Sequence, residues 1–223
     1  MRTSTARPAA ADVAFLAVGV GALLGAAALA RRPLSQTEVR TFHAVNGLPD
    51  QISPVVWPPM QYGTFGTVPV ISFIALARRR PRLGLAVGAG GTAAWLLAKA
   101  AKPVVDRGRP AGLLPDVSLR GKEEGDRGFP SGHAAVSAAL TVIAWPYASN
   151  RWRATLAVLS GFVPLARMYV GAHLPLDVVG GSALGLAIGS AINLAIPRRD
   201  PSSPIPFGLT CAAVGTSRGS PLT

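Results

Sequence analysis

Three short stretches of the chain carry residue types that could do chemistry together. The first is Lys102-Pro-Val-Val-Asp-Arg-Gly-Arg109-Pro110, the second is Pro130-Ser131-Gly132-His133, and the third runs from Arg167 through His173 to Asp177. Phosphoryl transfer needs charge neutralised around three equatorial oxygens, an in-line nucleophile, and a proton for the leaving oxygen. Lys102, Arg109 and Arg167 supply fixed positive charge, and arginine can grip two phosphate oxygens at once. Ser131 and Gly132 stand where a helix is expected to start, so backbone N–H groups and the helix dipole would favour an anion there. His173 is followed four residues later by Asp177, with Pro175 between them, a residue suited to the first turn of a helix. His173 is therefore expected just before a helix. Asp177 would reach back to one ring nitrogen and leave the other to attack. His133 adjoins the anion site and has no carboxylate at that spacing, which suits a general acid.

Each feature alone has an ordinary explanation. A lysine or arginine at a membrane edge commonly snorkels to head groups, Arg-Pro and Ser-Gly-His are frequent, and His173 with Asp177 could be a helix-cap pair. His43 belongs to no motif and reads as a surface residue. The chemical reading rests on the three stretches occurring together, at one membrane face in the layout that follows.

The chain has 223 residues, of which 49% are hydrophobic and 14% charged. Soluble domains carry about 25% charged residues, and here the apolar residues come in long runs, so the class is a membrane protein. Six apolar segments can be marked, at about 13–30, 53–77, 83–101, 133–148, 154–172 and 176–196. The expected fold is all-α, a polytopic membrane protein with six transmembrane helices in a bundle. It forms one membrane domain over residues 1–199, with the chemistry-bearing region at about 99–180 and a disordered tail at 200–223. The first segment, preceded by Arg2 and Arg7, is longer than the apolar core of a cleaved signal, so an uncleaved helix is expected. The second holds Pro54, Pro58, Pro59 and Pro69 and is expected to kink or begin late. Thr37 to Asp50 reads as a short surface helix with a turn at Asn46-Gly47. Gly181, Gly185 and Gly189, at four-residue spacing, predict close helix packing in the last segment. Residues 102–132 form a long polar loop.

A net charge of +12 would suit nucleic acid, but the basic residues sit at the edges of apolar runs and no nucleic-acid-binding motif is present. The bilayer is the expected partner and nucleic acid is not. Arg78, Arg79, Arg80 and Arg82 have the character of a cytoplasmic loop. The single cysteine, Cys211, allows neither an intrachain disulfide nor a cysteine-based metal site. With six crossings the 22 Lys and Arg split evenly, 11 on each side of the membrane. Setting aside the three with proposed chemical roles leaves 8 on the face of the polar loop, which is then predicted to point outward.

These residues resemble the type 2 phosphatidic acid phosphatase superfamily, which also includes vanadium-dependent haloperoxidases. Its signature is Lys, six residues, Arg-Pro; then Pro-Ser-Gly-His; then Ser-Arg, five residues, His, three residues, Asp. The chain matches with Lys102, Arg109, Pro110, Pro130, Ser131, Gly132, His133, Arg167, His173 and Asp177, over a resemblance covering about residues 53–196. It departs at Ala166, where the family usually has serine, losing a hydroxyl donor. The resemblance implies a membrane lipid phosphatase without metal or other cofactor. His173 would be the nucleophile forming a phosphohistidine, Asp177 its partner and His133 the acid for the leaving group. Lys102, Arg109, Ser131, Gly132 and Arg167 would hold the phosphate. A polyprenyl pyrophosphate or phosphate is the favoured substrate, with phosphatidate and phosphatidylglycerol phosphate as alternatives. A non-catalytic membrane protein keeping the fold is a more distant reading. Haloperoxidase chemistry is disfavoured because that branch is generally soluble.

Overall fold

A computed structural model describes residues 6–121 and 125–196. The expected tail at 200–223, with Cys211, lies outside them. The described residues form nine α-helices and carry no β-strand, only one isolated antiparallel pairing of Gly108 with Arg127. The helices are α1 (Ala6–Ala30), α2 (Gln36–Asn46), α3 (Ser53–Met60), α4 (Thr67–Ala77), α5 (Pro81–Val105), α6 (Pro110–Leu113), α7 (Gly132–Ala144), α8 (Asn150–Tyr169) and α9 (Pro175–Ala195). Residues Ala10–Ala30, α5 and α9 are each long and apolar enough to cross a membrane. The second apolar segment is kinked as expected, but between Gly63 and Thr67 rather than at a proline, since Pro58 and Pro59 lie inside α3 and Pro69 inside α4. Residues Asp50–Gly63 and Thr67–Ala77 meet at a 64° bend, and counting that pair as one span gives up to four candidates. The break falls at Gly63. A side chain there would press into the His133 carbonyl and Val163, at 2.6 and 2.7 Å, so the glycine lets the bent segment lie directly against α7 and α8.

The six apolar segments of the sequence correspond to α1, the α3–α4 pair, α5, α7, α8 and α9. The fourth is shorter than read. Only Gly132–Ala144 is α-helical, because Pro146 interrupts the apolar run and Trp145–Tyr147 tightens into a 3₁₀ turn. At about 1.5 Å per residue, α7 is near 20 Å long.

Small residues hold the bundle together. A Cβ on Gly181 would collide with the Ser131 carbonyl and one on Gly185 with the Ala135 carbonyl; on Gly189 it would lie 2.7 Å from the Val142 side chain. The glycine face of α9 is thus the seat of α7. The main apolar cluster joins α4, α5, α7 and α9 through Val68, Val87, Ala94, Ala135, Leu140, Ile143 and Leu184. Between helices in a bilayer such contacts stabilise by close van der Waals packing rather than by removal of apolar area from water.

Helix α2 is not the plain surface helix the sequence predicts. Glu38, Phe42 and Asn46 on one face are buried. Phe42 packs with Ala134, Met168, Leu174 and Val178. Asn46 donates from Nδ2 to the carbonyls of Ser118, Met168 and Tyr169 and accepts from the Ser118 N–H. The helix is a strut under the polar end of the bundle, sorted by its 3.6-residue period into a wet and a buried face.

Candidate active site

The polar end is assembled from the last turn of α5, the 106–131 loop, the first turn of α7 and the α8–α9 turn. Lys102 lies in the final turn of α5, and its Nζ donates to the Arg127 carbonyl at 2.7 Å. Arg109 precedes α6. Its Nε donates to the Gly125 carbonyl at 2.6 Å and one terminal nitrogen to the Ala172 carbonyl at 2.8 Å, tying the loop to the α8–α9 turn. Ser131 is the N-cap of α7; its hydroxyl accepts from the Ala134 N–H at 3.5 Å and its own N–H donates to the Asp177 carbonyl at 2.9 Å. The start of α7 is therefore pinned to the start of α9, and the first-turn N–H groups, which helix geometry leaves outside the helix's own ladder, belong to the polar end.

Between α8 and α9 the chain turns at Gly171 with φ of +78°, a conformation that glycine tolerates and other residues rarely adopt. His173 follows, 2% exposed, with its Nδ1 3.7 Å from Asp177 Oδ2. That separation exceeds a hydrogen bond, so the direct carboxylate–imidazole bond expected from the spacing is not made. Asp177 instead caps its own helix, Oδ2 accepting from the Leu174 N–H at 2.9 Å. Burial, followed by the positive charges of Arg167, Arg109 and Lys102 and the neighbouring His133, holds the His173 pKa well below the ordinary histidine value. A histidine so shifted is neutral at physiological pH, the state with a lone pair to offer. Because the folded pKa is lowered, protonation waits for more acid solution, and function that needs neutral His173 is retained down to that pH and lost below it. The acid limb of kcat/KM, measured on a water-soluble short-chain substrate, is accordingly expected below pH 6.5, the unperturbed histidine value of about that size. A limb at or above that value would mean that His173 does not titrate as its surroundings dictate.

One cavity of about 330 Å³ is lined by Lys102, Arg109, Gly132, His133 and His173, together with Gly63, Phe65, Trp95, Ala98 and Lys99. Five of the eight residues singled out in the sequence therefore share a wall. Ser131, Arg167 and Asp177 do not line it; all three are buried, at 0%, 4% and 0% exposure. Arg167 is close enough for its charge to act on His173. Ala166, the departure from the family pattern, is buried in an apolar cluster with Val56, Met60 and Tyr169, so its methyl group fits its surroundings. The cavity's donors are cationic, suited to an anion, and among the described residues no three His, Cys, Asp or Glu side chains are grouped to hold a metal ion.

Two residues of the site went unassigned in the sequence. Arg107, 6% exposed, donates from its two terminal nitrogens to both carboxylate oxygens of Glu38, at 2.9 and 2.7 Å, and to Asp177 Oδ1 at 3.3 Å. Glu38, from α2, also accepts from the Leu176 N–H at 3.1 Å. Burial alone would lower the Arg107 pKa; the two carboxylates outweigh it and raise it. Asp177 is thereby gripped on one oxygen by a helix N–H and on the other by a fixed guanidinium. The signal for Glu38 is ambiguous in sequence. Ser35-Gln-Thr-Glu38 has the form of a capping box, and Ser35 does cap the Glu38 N–H, while the glutamate side chain crosses to Arg107.

Fold and site together define a class: an all-helical membrane protein with a cationic, histidine-bearing cavity at one end of its bundle. A family model described as the PAP2 superfamily matches residues 81–201, more than half of the chain, and the chain belongs to that family. Among curated relatives, an undecaprenyl-diphosphatase from Sulfolobus acidocaldarius is 29% identical over 121 residues, covering 53% of this chain and 57% of that protein. A decaprenylphosphoryl-5-phosphoribose phosphatase from Mycobacterium tuberculosis is 33% identical over 128 residues, covering 56% and 67%. The chain thus matches between half and two thirds of these relatives' lengths. Two solved structures share the fold. LpxE from Aquifex aeolicus superposes with a TM-score of 0.59 at 23% identity, over 69% of this chain and 93% of that one. A transmembrane PAP2-type phosphatidylglycerolphosphate phosphatase from Bacillus subtilis gives 0.61 at 22% identity, over 79% and 94%.

Proposed function

We propose that the protein is a metal-independent membrane phosphatase that cleaves a lipid phosphate or pyrophosphate through a phosphohistidine, with a polyprenyl pyrophosphate or phosphate as substrate. The observation that carries this reading is the single cavity shared by His133, His173, Lys102, Arg109 and the first turn of α7. His173 attacks phosphorus through the ring nitrogen remote from Asp177. Lys102, Arg109 and Arg167, with the Ser131–Gly132 turn, neutralise the equatorial oxygens. His133 protonates the leaving oxygen and then takes a proton from the water that cleaves the phosphohistidine. Asp177, held by Arg107 and Leu174, keeps a negative charge near the imidazole that becomes cationic. The polyprenyl preference leans on the names of the undecaprenyl and decaprenyl relatives.

Six crossings complete the proposal, with α7 and α8 added to the candidate spans. Helix direction supports it. The end of α1 meets the end of α5, where Arg31 donates to the Val104 carbonyl at 2.9 Å, and α7 starts, α8 ends and α9 starts at the same polar end. Successive segments therefore run in opposite directions. The short α7 is served by the close packing around it and by local thinning of the bilayer. The active site faces outward across the cell membrane, with the 78–82 arginines inside.

Phosphate release by detergent-purified protein, in the presence of chelator, tests the reading on a panel of polyprenyl pyrophosphate, phosphatidate and phosphatidylglycerol phosphate. The expected result is chelator-insensitive release, fastest from the polyprenyl substrate. Faster release from either glycerolipid would move the substrate to that class, and release from none of the three would refute the phosphatase reading.

A further inference from the structure

Lys99 stands one helical turn before Lys102 on α5 and belongs to none of the three sequence stretches. Its Nζ lies 3.8 Å from the centroid of the Trp95 ring, and Trp95 stacks on Phe65 at 4.6 Å with 28° between planes. Phe65 sits at the break between α3 and α4, still 38% exposed. All three line the cavity that holds His133 and His173. Residues 95, 99 and 102 follow the i, i+4, i+7 pattern of one helix face. From the phosphate-holding end, the cavity wall therefore reads Lys102, then Lys99 about 4.5 Å along the axis, then an aromatic pair. A cation over an aromatic face is attracted to it while keeping its N–H donors for an anion. Lys99 also lines a second cavity of about 600 Å³ with Lys102, Asp106 and Arg127.

We propose that Lys99 binds the second phosphate of a lipid diphosphate, the one that stays on the lipid after cleavage, and so selects diphosphates over monophosphates. The proposal rests on the phosphatase reading and names the substrate feature the site selects. His173 nitrogen forms a bond to the terminal phosphorus as the bridging P–O bond breaks. The electron pair stays on the bridging oxygen, which takes the proton His133 delivers and becomes an oxygen of the departing lipid monophosphate. Water then cleaves the N–P bond to give inorganic phosphate. The charge that develops in the first step falls on the phosphate beside Lys99, so an ammonium there favours the transition state of a diphosphate in particular. A lipid monophosphate, whose leaving oxygen belongs to an alcohol, puts no second anion at that place.

The test compares the wild type with Lys99→Gln and Lys99→Arg on a lipid diphosphate and a lipid monophosphate of the same tail. The ratio of the two kcat/KM values is expected to fall roughly 10- to 100-fold in Lys99→Gln, the scale of one charge-assisted hydrogen bond, and to recover in Lys99→Arg. An unchanged ratio overturns the proposal, whether the two rates fall together or neither moves. If the wild type hydrolyses neither lipid, the phosphatase reading itself fails. Binding then decides for Lys99: lipid diphosphate bound as tightly by Lys99→Gln as by the wild type overturns it, and selectively weakened diphosphate binding upholds it.

Discussion

Replacing His173 by alanine is expected to abolish phosphate release, lowering kcat by roughly 10⁴- to 10⁶-fold, the scale seen when a covalent nucleophile is removed. The expectation follows from the way the site divides its labour. In the proposed mechanism three cations and a helix N-terminus neutralise the phosphate together, so removing one of them leaves the others. Arg109→Ala should cost about 10²- to 10³-fold, like the loss of one oxyanion donor. His173 is 2% exposed, lines the cavity, and is held well below the ordinary histidine pKa by burial and then by its cationic neighbours, so it offers a neutral ring nitrogen to the phosphorus. Turnover by the two variants on one lipid separates the roles. If His173→Ala lost no more than Arg109→Ala, the histidine would be another binding group and attack would have to come from elsewhere.

Glu38→Ala is expected to lower stability by about 3–5 kcal/mol, as breaking a buried ion pair does when one charge is left behind. Glu38 accepts both terminal nitrogens of Arg107 and the Leu176 N–H, with both charged side chains about 5–6% exposed. Without it the guanidinium keeps only the 3.3 Å contact with Asp177, and the pull on Asp177 changes with it. The thermal midpoint in detergent should therefore fall, and activity with it. A paired replacement, Glu38→Leu with Arg107→Met, removes both charges. It is expected to recover much of the midpoint while leaving activity low, because Asp177 then lacks its arginine. Recovery of both stability and full activity would show that Arg107 and Glu38 serve the fold alone. A single Glu38→Ala variant as stable as the wild type would show that the pair is solvated in a way its burial does not allow.

The grouping of the candidate site was legible in part because the chain concentrates its residues, five of which line one cavity. Lys102 and Arg109 are seven residues apart, His133 follows its cap at Ser131, and Pro175 announces the helix that puts His173 before it and Asp177 in its first turn. These are local relations that helix geometry converts directly into position, and the bundle brings the end of α5, the start of α7 and the α8–α9 turn together. The glycines at 181, 185 and 189 were readable for the same reason. Long-range pairs were not. Glu38 and Arg107 are separated by 69 residues, and nothing in the spacing of either names the other; the local grammar around Glu38 offers a helix cap instead. The Asp177 carboxylate illustrates competition at short range, where the Leu174 N–H takes the oxygen that the four-residue spacing had offered to the imidazole. The length of α7 was misjudged because Trp145 and Tyr147 continue the apolar run, whereas Pro146 ends the helix. Phe65, Trp95 and Lys99 were invisible as a group, since an aromatic pair across a broken helix has no sequence period.

A phosphohistidine on His173 can be trapped before water cleaves it. The protein would be mixed with a lipid pyrophosphate carrying a labelled terminal phosphate, quenched in alkali, where phosphohistidine survives, and digested for peptide mapping. Acid-labile label is expected on the peptide that contains His173, and none in the His173→Ala variant. Label on any other residue, or rapid turnover by the wild type with no label on His173 at any time, would contradict it.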